Sequence, residues 1–340
     1  MSAPVVAGWD VGGVNLKIAV VRDGLVSHVR ARPFEIQRTP AHLVEALRAE
    51  AAAAGLRAGT PHAVTMTAEL SQLFRTKREG VCFVLDALAA AFPNDAIWVY
   101  TVDGRFVSPD AARRDPLLVA ASNWHATASI VAELWRDATL VDIGSTTTDI
   151  IPVSSGAVTA TGHTDADRLS SGELLYLGAV RTPVEAIVHE VPFRDAMAGV
   201  SAEAFALSGD VHVWNGDLAA GDYCTGTPDG RPVEHEFTRE RLARIICADR
   251  EMLDDPAIDR IAAHVADAQV ARTAAALARV RAHGPADAPV ITAGIGAFIG
   301  KRAAARLAAP CASLSARLGL DAAAAAPASA VALLGAREIP

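Results

Sequence analysis

The chain contains few aromatic residues and few cysteines. Aromatic side chains make up 5% of the 340 residues, while apolar residues make up 51%, so Ala, Val, Leu and Ile must build most of the core. No two cysteines have the Cys-x-x-Cys spacing that is typical of zinc sites and of many redox sites. This scatter also argues against a disulfide framework and favours a reducing compartment. The four cysteines are Cys82, Cys224, Cys247 and Cys311.

Basic clusters and long apolar runs are also absent. The formal net charge is −8, the isoelectric point is about 5.7, and no run of Lys and Arg occurs, which argues against nucleic acid as the main partner. No run reaches the roughly 18 apolar residues that a membrane-spanning helix needs. The first residues, MSAPVVAGWDVGG, lack the basic start of a signal peptide. We therefore expect a cytoplasmic protein with neither nucleic acid nor a membrane as its partner.

One stretch near the middle of the chain combines an acidic residue, a glycine and several hydroxyls. In TLVDIGSTTTDIIPV (139–153), an apolar run leads to Asp142 and Gly144, and four hydroxyl side chains follow. A tight turn with free N–H groups and hydroxyls is suited to binding phosphate oxygens. The alternative is an ordinary solvated hairpin turn.

The same arrangement occurs near the start of the chain. DVGGVNLK (10–17) and DIGSTTTD (142–149) each place Asp at the end of an apolar run, Gly two residues later and a charged residue seven residues later. Asp142 follows Asp10 by 132 residues, which is about the length of one domain. This repeat predicts an N-terminal lobe at 1–137 and a C-terminal lobe at 138–326. A helix at 327–340 is expected to cross back to the N-terminal lobe.

The two loops together predict a site for phosphate groups and Mg²⁺. Backbone N–H groups and hydroxyls donate to phosphate oxygens, and the predicted donors are Gly12, Gly13, Asn15, Gly144, Ser145, Thr146 and Thr147. Carboxylates repel phosphate but bind Mg²⁺ or its water shell. The predicted metal residues are Asp10, Asp142 and Asp149, and a plain turn residue is the alternative for Asp149.

A third glycine loop lies near the C-terminal end of the sequence, in APVITAGIGAFIG (288–300). It predicts a strand at Pro289–Ala293, a turn at Gly294 and Gly296, and a helix at Ala297–Leu307. A helix that starts after such a turn can direct its N-terminus at an anion. Simple chain reversal is the alternative.

Apolar periodicity predicts the other elements. Strands are predicted at Val5–Trp9, Leu16–Val21, Leu25–Phe34, His62–Met66 and Ala96–Thr101. Helices are predicted at Pro40–Ala54, Val81–Ala91, Thr127–Arg136 and Ala328–Arg337. Thr39, followed by Pro40, is the predicted N-cap of the first helix.

Several longer segments resemble a known family. The two aspartate loops resemble the hydantoinase/oxoprolinase branch of the acetate and sugar kinase/Hsp70/actin superfamily. The narrower resemblance is to the ether synthases of methanofuran biosynthesis, found in methanogenic archaea and in methylotrophic bacteria, and it covers nearly the whole chain. Its segments are TMTAEL (65–70), FRTKREGV (74–81), ASNWHATA (121–128), GHTDADRLSSGELLYLGAVRTPV (162–184) and ALSGDVHVWNGDL (206–218).

This resemblance implies both a fold and a reaction. The fold is α/β, with two ribonuclease H-like lobes of the acetate and sugar kinase/Hsp70/actin type around a central cleft. The reaction joins an aminomethylfuran-methyl diphosphate to the phenol of γ-glutamyltyramine, or of a tyrosine analogue, with release of diphosphate and without cleavage of ATP. The alternatives are an ATP-dependent small-molecule kinase or ligase of the same fold and a non-catalytic ATP-binding scaffold.

The resemblance also implies roles for single residues. Glu69 follows a predicted strand where related kinases carry an acid or base, so it is the candidate base for the phenol; a plain helix N-terminal carboxylate is the alternative. Lys17 resembles the phosphate-side lysine of sugar kinases, although a solvated strand lysine fits the sequence too. The first loop has Val14-Asn15 where many relatives carry threonines, so it offers few hydroxyls.

Four more residues are predicted to contact the substrates. Asn123 and His125 lie in a stretch of small and apolar residues and are candidates for binding the aromatic substrate, with a satisfied core histidine as the alternative. Arg168 and Arg181 are candidates for a bidentate contact with a glutamyl carboxylate. A structural ion pair is the alternative for each arginine.

Overall fold

The computed structural model describes residues 5–282 and 284–339, and the chain divides into two compact units. The first unit contains the chain up to Ala138, the segment Ile151–Arg168 and the chain from Ser313 onward. The second unit contains Thr139–Ile150 and Leu169–Ala312.

The strands lie in two larger sheets and one hairpin. In chain order they are β1 Val6–Val11, β2 Asn15–Arg22, β3 Leu25–Pro33, β4 His62–Met66, β5 Ile97–Tyr100, β6 Phe106–Val107, β7 Ala138–Ile143, β8 Thr148–Ser154, β9 Ala157–Val158, β10 Leu174–Leu175, β11 Glu190–Phe193, β12 Ala196–Gly199, β13 Val290–Ala293 and β14 Cys311–Ser313.

The helices in the described residues cover the sheets or form a helical region. They are α1 Leu43–Ala53, α2 Lys77–Ala91, α3 Pro109–Arg114, α4 Asn123–Leu134, α5 Asp165–Ser171, α6 Ser208–Trp214, α7 His235–Arg244, α8 Asp255–Arg281, α9 Ala297–Arg306, α10 Ser315–Leu318, α11 Leu320–Ala324 and α12 Ala326–Glu338.

The first sheet has the strand order β3-β2-β1-β4-β5-β6. The first three strands are antiparallel neighbours, and β4 and β5 continue the sheet in parallel with β1. Side chains alternate between its two faces, as the pleat requires. Leu16, Ile18 and Val20 of β2 pack in a cluster with α1 and α2, whereas Ala19 and Val21 pack in a cluster with α4 and α12. The sheet is therefore covered by helices on both faces.

The second sheet repeats this plan, with the order β10-β8-β7-β13-β14. The strands β7 and β8 form its hairpin, and β13 pairs in parallel with β7, as β4 does with β1. Val141, Ile143 and Val290 pack against α8 and α9 in one core cluster. The predicted α/β class and the predicted repeat of the strand–turn–strand motif are both confirmed.

Some predicted element boundaries are wrong. The predicted helix Val81–Ala91 begins at Lys77, where Thr76 Oγ1 accepts a hydrogen bond from Glu79 N–H at 3.2 Å. The predicted helix Thr127–Arg136 runs over Asn123–Leu134. Apolar periodicity misses a first helical turn that is made of polar or small residues.

The predicted N-cap at Thr39 is also wrong in its chemistry. Thr39 precedes a 3₁₀ turn at Pro40–His42, and α1 begins only at Leu43. The Thr39 hydroxyl makes no capping bond; it donates to the carbonyl oxygen of Glu35 at 3.4 Å.

Candidate functional site

The first hairpin turn is closed by one hydrogen bond, from Gly12 N–H to the carbonyl oxygen of Asn15 at 3.0 Å. The carbonyl oxygens of Gly13 and Val14 accept N–H groups of the segment after β3, at 3.1 and 2.9 Å. The N–H groups of Gly13 and Val14 donate no hydrogen bond within the described part of the chain. Hydrogen bonds to the carbonyl oxygens therefore hold the turn in place, and the N–H groups of Gly13 and Val14 remain available as donors.

The second hairpin turn has the same closing bond, 132 residues later. Gly144 N–H donates to the carbonyl oxygen of Thr147 at 2.9 Å. The carbonyl oxygens of Gly144 and Ser145 accept N–H groups of residues 179–181, whereas the N–H groups of Ser145 and Thr146 have no acceptor in residues 5–282 and 284–339. Two free N–H groups beside hydroxyl side chains make a concave donor site for an anion. The sequence repeat is therefore a structural repeat down to single hydrogen bonds.

Asp10 and Lys17 form an ion pair across the first hairpin. The two residues are directly opposite in the β1–β2 register, and Lys17 Nζ lies 3.0 Å from Asp10 Oδ2. Asp10 is 3% exposed, and its Oδ1 atom has no hydrogen-bond partner among the described residues. A buried carboxylate oxygen without a donor fits a cation or a water of its hydration shell. Lys17 contacts this carboxylate, so the alternative of a plain solvated lysine is wrong.

The third glycine loop abuts Asp142. In the parallel pairing of β7 and β13, Ala293 lies opposite Asp142, so both strands end together. Gly294 has a φ of +77°, and a Cβ atom there would lie 2.5 Å from Asp142 Oδ1. Gly296 N–H donates to the carbonyl oxygen of Ile143 at 2.9 Å. Glycine at these positions allows the loop to approach the half-buried aspartate closely.

Asp149 lies within β8, where it is 8% exposed and pairs with Leu174 of β10. The alternative of a turn residue is therefore wrong, because the turn ends before β8 begins. Its predicted metal role stays a prediction.

Glu69 lies in a short 3₁₀ helix, Ala68–Leu70, just after β4. It is 2% exposed, and neither carboxylate oxygen has a hydrogen-bond partner within the described residues. Burial raises the pKa of Glu69 to about 8, and the positive charge of Lys77 opposes that rise. Gly80 packs so closely that a Cβ atom there would lie 2.5 Å from Glu69 Cα. Backbone packing thus fixes a carboxyl group that titrates near neutral pH.

Two charged side chains that the sequence analysis did not single out, Lys77 and Asp165, influence the charge of Glu69. Lys77 Nζ lies 2.9 Å from Asp165 Oδ2, and Asp165 Oδ1 lies 3.8 Å from Arg168 Nη1. Both Lys77 and Asp165 lie inside segments that carry the family resemblance. That resemblance was the feature of the sequence that could have indicated a role for them. Their 88-residue separation gave no indication that they meet.

Arg168 is 1% exposed, and its guanidinium lies over the Trp124 ring at 4.3 Å from the ring centroid. Stacking and the adjacent Asp165 support the alternative of a structural ion pair for Arg168. Arg181 differs, because it is half-buried and its guanidinium has no ion-pair partner within the described chain. Its backbone N–H donates to the carbonyl oxygen of Ser145 at 2.9 Å, beside the second turn.

His125 is a satisfied residue of α4. Its Nδ1 atom lies 3.1 Å from the Tyr100 hydroxyl and 3.2 Å from the Ser129 hydroxyl. Burial lowers the pKa of His125 to about 4, so the ring is neutral at pH 7. Asn123 is the half-buried first residue of the same helix. Contacts of either residue with an aromatic substrate stay predictions.

Among residues 5–282 and 284–339, no three His, Cys, Asp or Glu side chains form a group that would hold a metal ion. No helix in this part of the chain is both long enough and apolar enough to cross a bilayer.

Comparison with known proteins identifies the family. The hydantoinase/oxoprolinase family profile matches residues 61–337. A protein of Methanocaldococcus jannaschii named (4-{4-[2-(gamma-L-glutamylamino)ethyl]phenoxymethyl}furan-2-yl)methanamine synthase is 38% identical over 258 residues, which are 75% of this chain and 76% of that protein. A protein of the same name from Methanococcus vannielii is 40% identical over 114 residues, 34% of this chain and 51% of that protein.

A solved structure shares the fold. The nucleotide-free structure of acetone carboxylase, from a study of ATP-dependent acetone carboxylation, has a TM-score of 0.56 at 12% identity, covering 98% of this chain and 70% of that chain. Identity this low supports the fold alone. The sequence matches go further: the chain belongs to the hydantoinase/oxoprolinase family and, within it, to the family of (4-{4-[2-(gamma-L-glutamylamino)ethyl]phenoxymethyl}furan-2-yl)methanamine synthases.

Proposed function

We propose that the protein forms an aryl ether by joining an aminomethylfuran-methyl diphosphate to the phenol of γ-glutamyltyramine or of a tyrosine analogue. The observation that carries this proposal is the 38% identity over 75% of the chain to a synthase whose name describes a phenoxymethyl-furan product. A phenoxymethyl group contains the ether bond in question. The diphosphate form of the furan substrate is what the family resemblance implies, and the free N–H groups of the two hairpin turns are consistent with it.

The bond changes balance without a further reactant. The bond between the furan-bound methylene carbon and the diphosphate oxygen breaks, and its electron pair leaves with diphosphate. The phenol oxygen supplies the electron pair of the new carbon–oxygen bond. The furan ring delocalises positive charge on the methylene carbon, which favours early departure of the leaving group.

The turn N–H groups are proposed to stabilise the departing diphosphate. Negative charge grows on the leaving oxygens as the bond breaks, and fixed donors stabilise such charge without reorganisation. Ser145 and Thr146 offer free N–H groups in the second unit, and Gly13 and Val14 offer them in the first. The hydroxyls of the second turn add donors that the first turn lacks.

Glu69 is the proposed acceptor of the phenol proton. A phenol has a pKa near about 10, so a carboxylate with a raised pKa is a better-matched base than an ordinary one. No side chain of the described residues donates a hydrogen bond to the Glu69 oxygens. The nearby pair of Lys77 and Asp165 is proposed to set the electrostatic potential at this carboxyl group.

Mg²⁺ is the proposed cofactor, and when bound it would neutralise charge on diphosphate. Asp10 would hold it or its water shell through the buried Oδ1 atom that lacks a donor. Asp142 and Asp149 stay proposed metal residues of the second unit. Mg²⁺ sites commonly combine one or two carboxylates with waters and phosphate oxygens, so a cluster of three protein ligands is not required.

The test supplies purified protein and Mg²⁺ with either the furan diphosphate plus γ-glutamyltyramine or with ATP plus each substrate alone. Mass spectrometry should detect the ether and an equal amount of diphosphate in the first reaction. ADP formation in the second, without ether in the first, would favour a kinase or ligase and overturn the proposal. Omitting the phenol distinguishes ether formation from hydrolysis of the furan diphosphate.

A further inference from the structure

A six-residue segment, 177–182, lies against the second hairpin turn and is here called the backing segment. Ala179 N–H donates to the carbonyl oxygen of Gly144 at 2.9 Å. The next two N–H groups of the segment both donate to the carbonyl oxygen of Ser145, at 3.1 and 2.9 Å. The backing segment therefore binds the carbonyl oxygens of the turn and leaves the N–H groups of Ser145 and Thr146 free.

Gly178 is the point of closest approach between the backing segment and the turn. A Cβ atom at this position would overlap the backbone of Ser145 and Thr146. The obstacle is backbone, which cannot rotate away as a flexible side chain would. Any side chain larger than a hydrogen atom at position 178 must therefore displace the turn.

Buried polar side chains fix Gly178 in place. Its carbonyl oxygen accepts hydrogen bonds from Gln269 Nε2 and Ser208 Oγ, both at 2.9 Å, and its N–H donates to Thr182 Oγ1 at 2.8 Å. Ser208, Gln269 and Thr182 are 0%, 1% and 6% exposed. Gln269 is itself oriented, because its Oε1 atom lies 2.8 Å from His212 Nε2.

These hydrogen bonds to the backbone of Gly178 have a geometric consequence for the turn. A peptide group is planar, so a donor that binds its carbonyl oxygen also fixes the direction of the N–H group in the same peptide. Bonds to the carbonyl oxygens of Gly144 and Ser145 therefore fix the N–H directions of Ser145 and Thr146. The backing segment can do this only while Gly178 stays at its present position.

We infer that Gly178, Thr182, Ser208 and Gln269 are positioning residues that hold the second turn in the shape that binds diphosphate. None of the four needs to touch the substrate. The inference rests on the proposed function, because it assumes that this turn receives the diphosphate group. Its consequence is that affinity for diphosphate depends on a hydroxyl buried behind the turn.

The decisive comparison is Thr182→Val against Thr182→Ser. Valine has nearly the shape of threonine but leaves the Gly178 N–H group buried without an acceptor, whereas serine keeps the hydroxyl. Calorimetric titration with inorganic diphosphate in Mg²⁺ buffer should give an affinity about tenfold weaker for Thr182→Val, because one buried donor loses its partner. Thr182→Ser should bind within about twofold of the unaltered protein, since the hydrogen bond remains.

The titration separates positioning from a merely structural role. Partial unfolding would lower the number of binding sites per chain, whereas a displaced turn lowers the affinity at full occupancy. Should Thr182→Val fail to fold, Ser208→Ala removes one of the three side-chain donors to the Gly178 carbonyl oxygen without adding atoms. It should weaken diphosphate binding several-fold, because the Ser208 hydroxyl both donates to the Gly178 carbonyl oxygen and accepts from Thr182 N–H.

Two outcomes contradict the inference in different ways. If the unaltered protein binds diphosphate and both Thr182 variants bind it equally well, only the positioning inference is overturned. If the unaltered protein does not bind diphosphate at all, the phosphate role of this turn fails, and the inference fails with it.

Discussion

Glu69 combines three properties that rarely occur together in a residue kept for stability. It is 2% exposed, its carboxylate oxygens have no hydrogen-bond partner in the described residues, and burial raises its pKa to about 8. A buried polar group without partners destabilises the folded state, so its presence calls for another reason. Catalysis at a carboxyl group is such a reason, since activity often depends on locally unfavourable groups.

Replacing Glu69 by glutamine should therefore stabilise the protein at alkaline pH. The pKa of Glu69 is about 8 when folded, against an ordinary value of 4.5, so the folded state binds the proton more tightly. The stability that the folded protein gains by keeping Glu69 protonated is fully present below about pH 4.5. It is lost as the pH rises through about 8. Glutamine cannot ionise, so Glu69→Gln should lose less stability over this window. At pH 8 its free energy of unfolding should exceed that of the unaltered protein by about 1 kcal/mol or more.

Urea unfolding at pH 5 and pH 8 measures this difference. Glu45→Gln in α1 is the matched control, because Glu45 is exposed and its replacement should leave the pH dependence unchanged. Identical pH dependence of Glu69→Gln and the unaltered protein would mean that Glu69 is not a buried acid with a raised pKa.

The same substitution should reduce the rate, and the loss should depend on the acidity of the phenol. General-base catalysis is worth roughly 10²–10⁴ in rate, so Glu69→Gln should lose about that much with tyramine substrates. A fluorinated tyramine needs less proton transfer to the base, so the loss should shrink. The rate of the unaltered protein should rise with pH towards about 8, where Glu69 ionises. Unchanged rates for Glu69→Gln with every phenol would exclude Glu69 as the base.

At the scale of elements, the two hairpins were predictable from the sequence, but the segments that pack behind their turns were not. The aspartate, glycine and charged positions repeat at fixed spacing, and that spacing fixes the turn geometry at Gly12 and Gly144. The sequence of the backing segment, LGAVRT, carries no pattern that marks it as a support for the turn. Its contact with the turn depends on how the intervening elements return, which periodicity does not encode.

The helices show a similar limit. The 27-residue helix α8 was missing from the predicted elements, because its alanine-rich sequence is apolar on more than one side. Helix α2 begins one turn before its apolar pattern does, so Lys77 was not placed near Glu69. The site was therefore predictable where chemistry is contiguous in sequence, and unpredictable where Lys77, Asp165 and Glu69 come together from separate elements.

For the second hairpin, Asp142→Asn should remove most of the turnover while leaving the fold intact. Asparagine has the shape of aspartate, so the close contact with Gly294 is preserved, but the negative charge needed for a cation is lost. Steady-state rates and thermal unfolding should be measured on the same preparation. Asp287→Asn, at an exposed position before β13, is the control for a change of one charge. A rate near that of the unaltered protein would make Asp142 a structural turn residue.

At the scale of the whole molecule, the charge balance bears on how a diphosphate binds. The chain has 39 acidic and 31 basic residues, for a formal net charge of −8. A multiply charged anion is repelled by such a protein unless local donors and a cation compensate. In each unit the free turn N–H groups can act as local donors, while the carboxylate of that unit's hairpin, Asp10 or Asp142, would oppose a bound anion unless a cation compensates its charge.

A divalent cation should therefore be required for activity and for diphosphate binding. Dialysis against EDTA should abolish ether formation, and added Mg²⁺ should restore it, because the cation offsets repulsion between the carboxylates and the phosphate oxygens. Calorimetry gives an independent readout: inorganic diphosphate should bind with Mg²⁺ present and bind much more weakly in EDTA. Raising the ionic strength with NaCl instead of Mg²⁺ is the control for general charge screening. Full activity in EDTA, or full recovery with NaCl alone, would remove Asp10 and Asp142 from metal binding and leave diphosphate to the turn N–H groups and basic side chains.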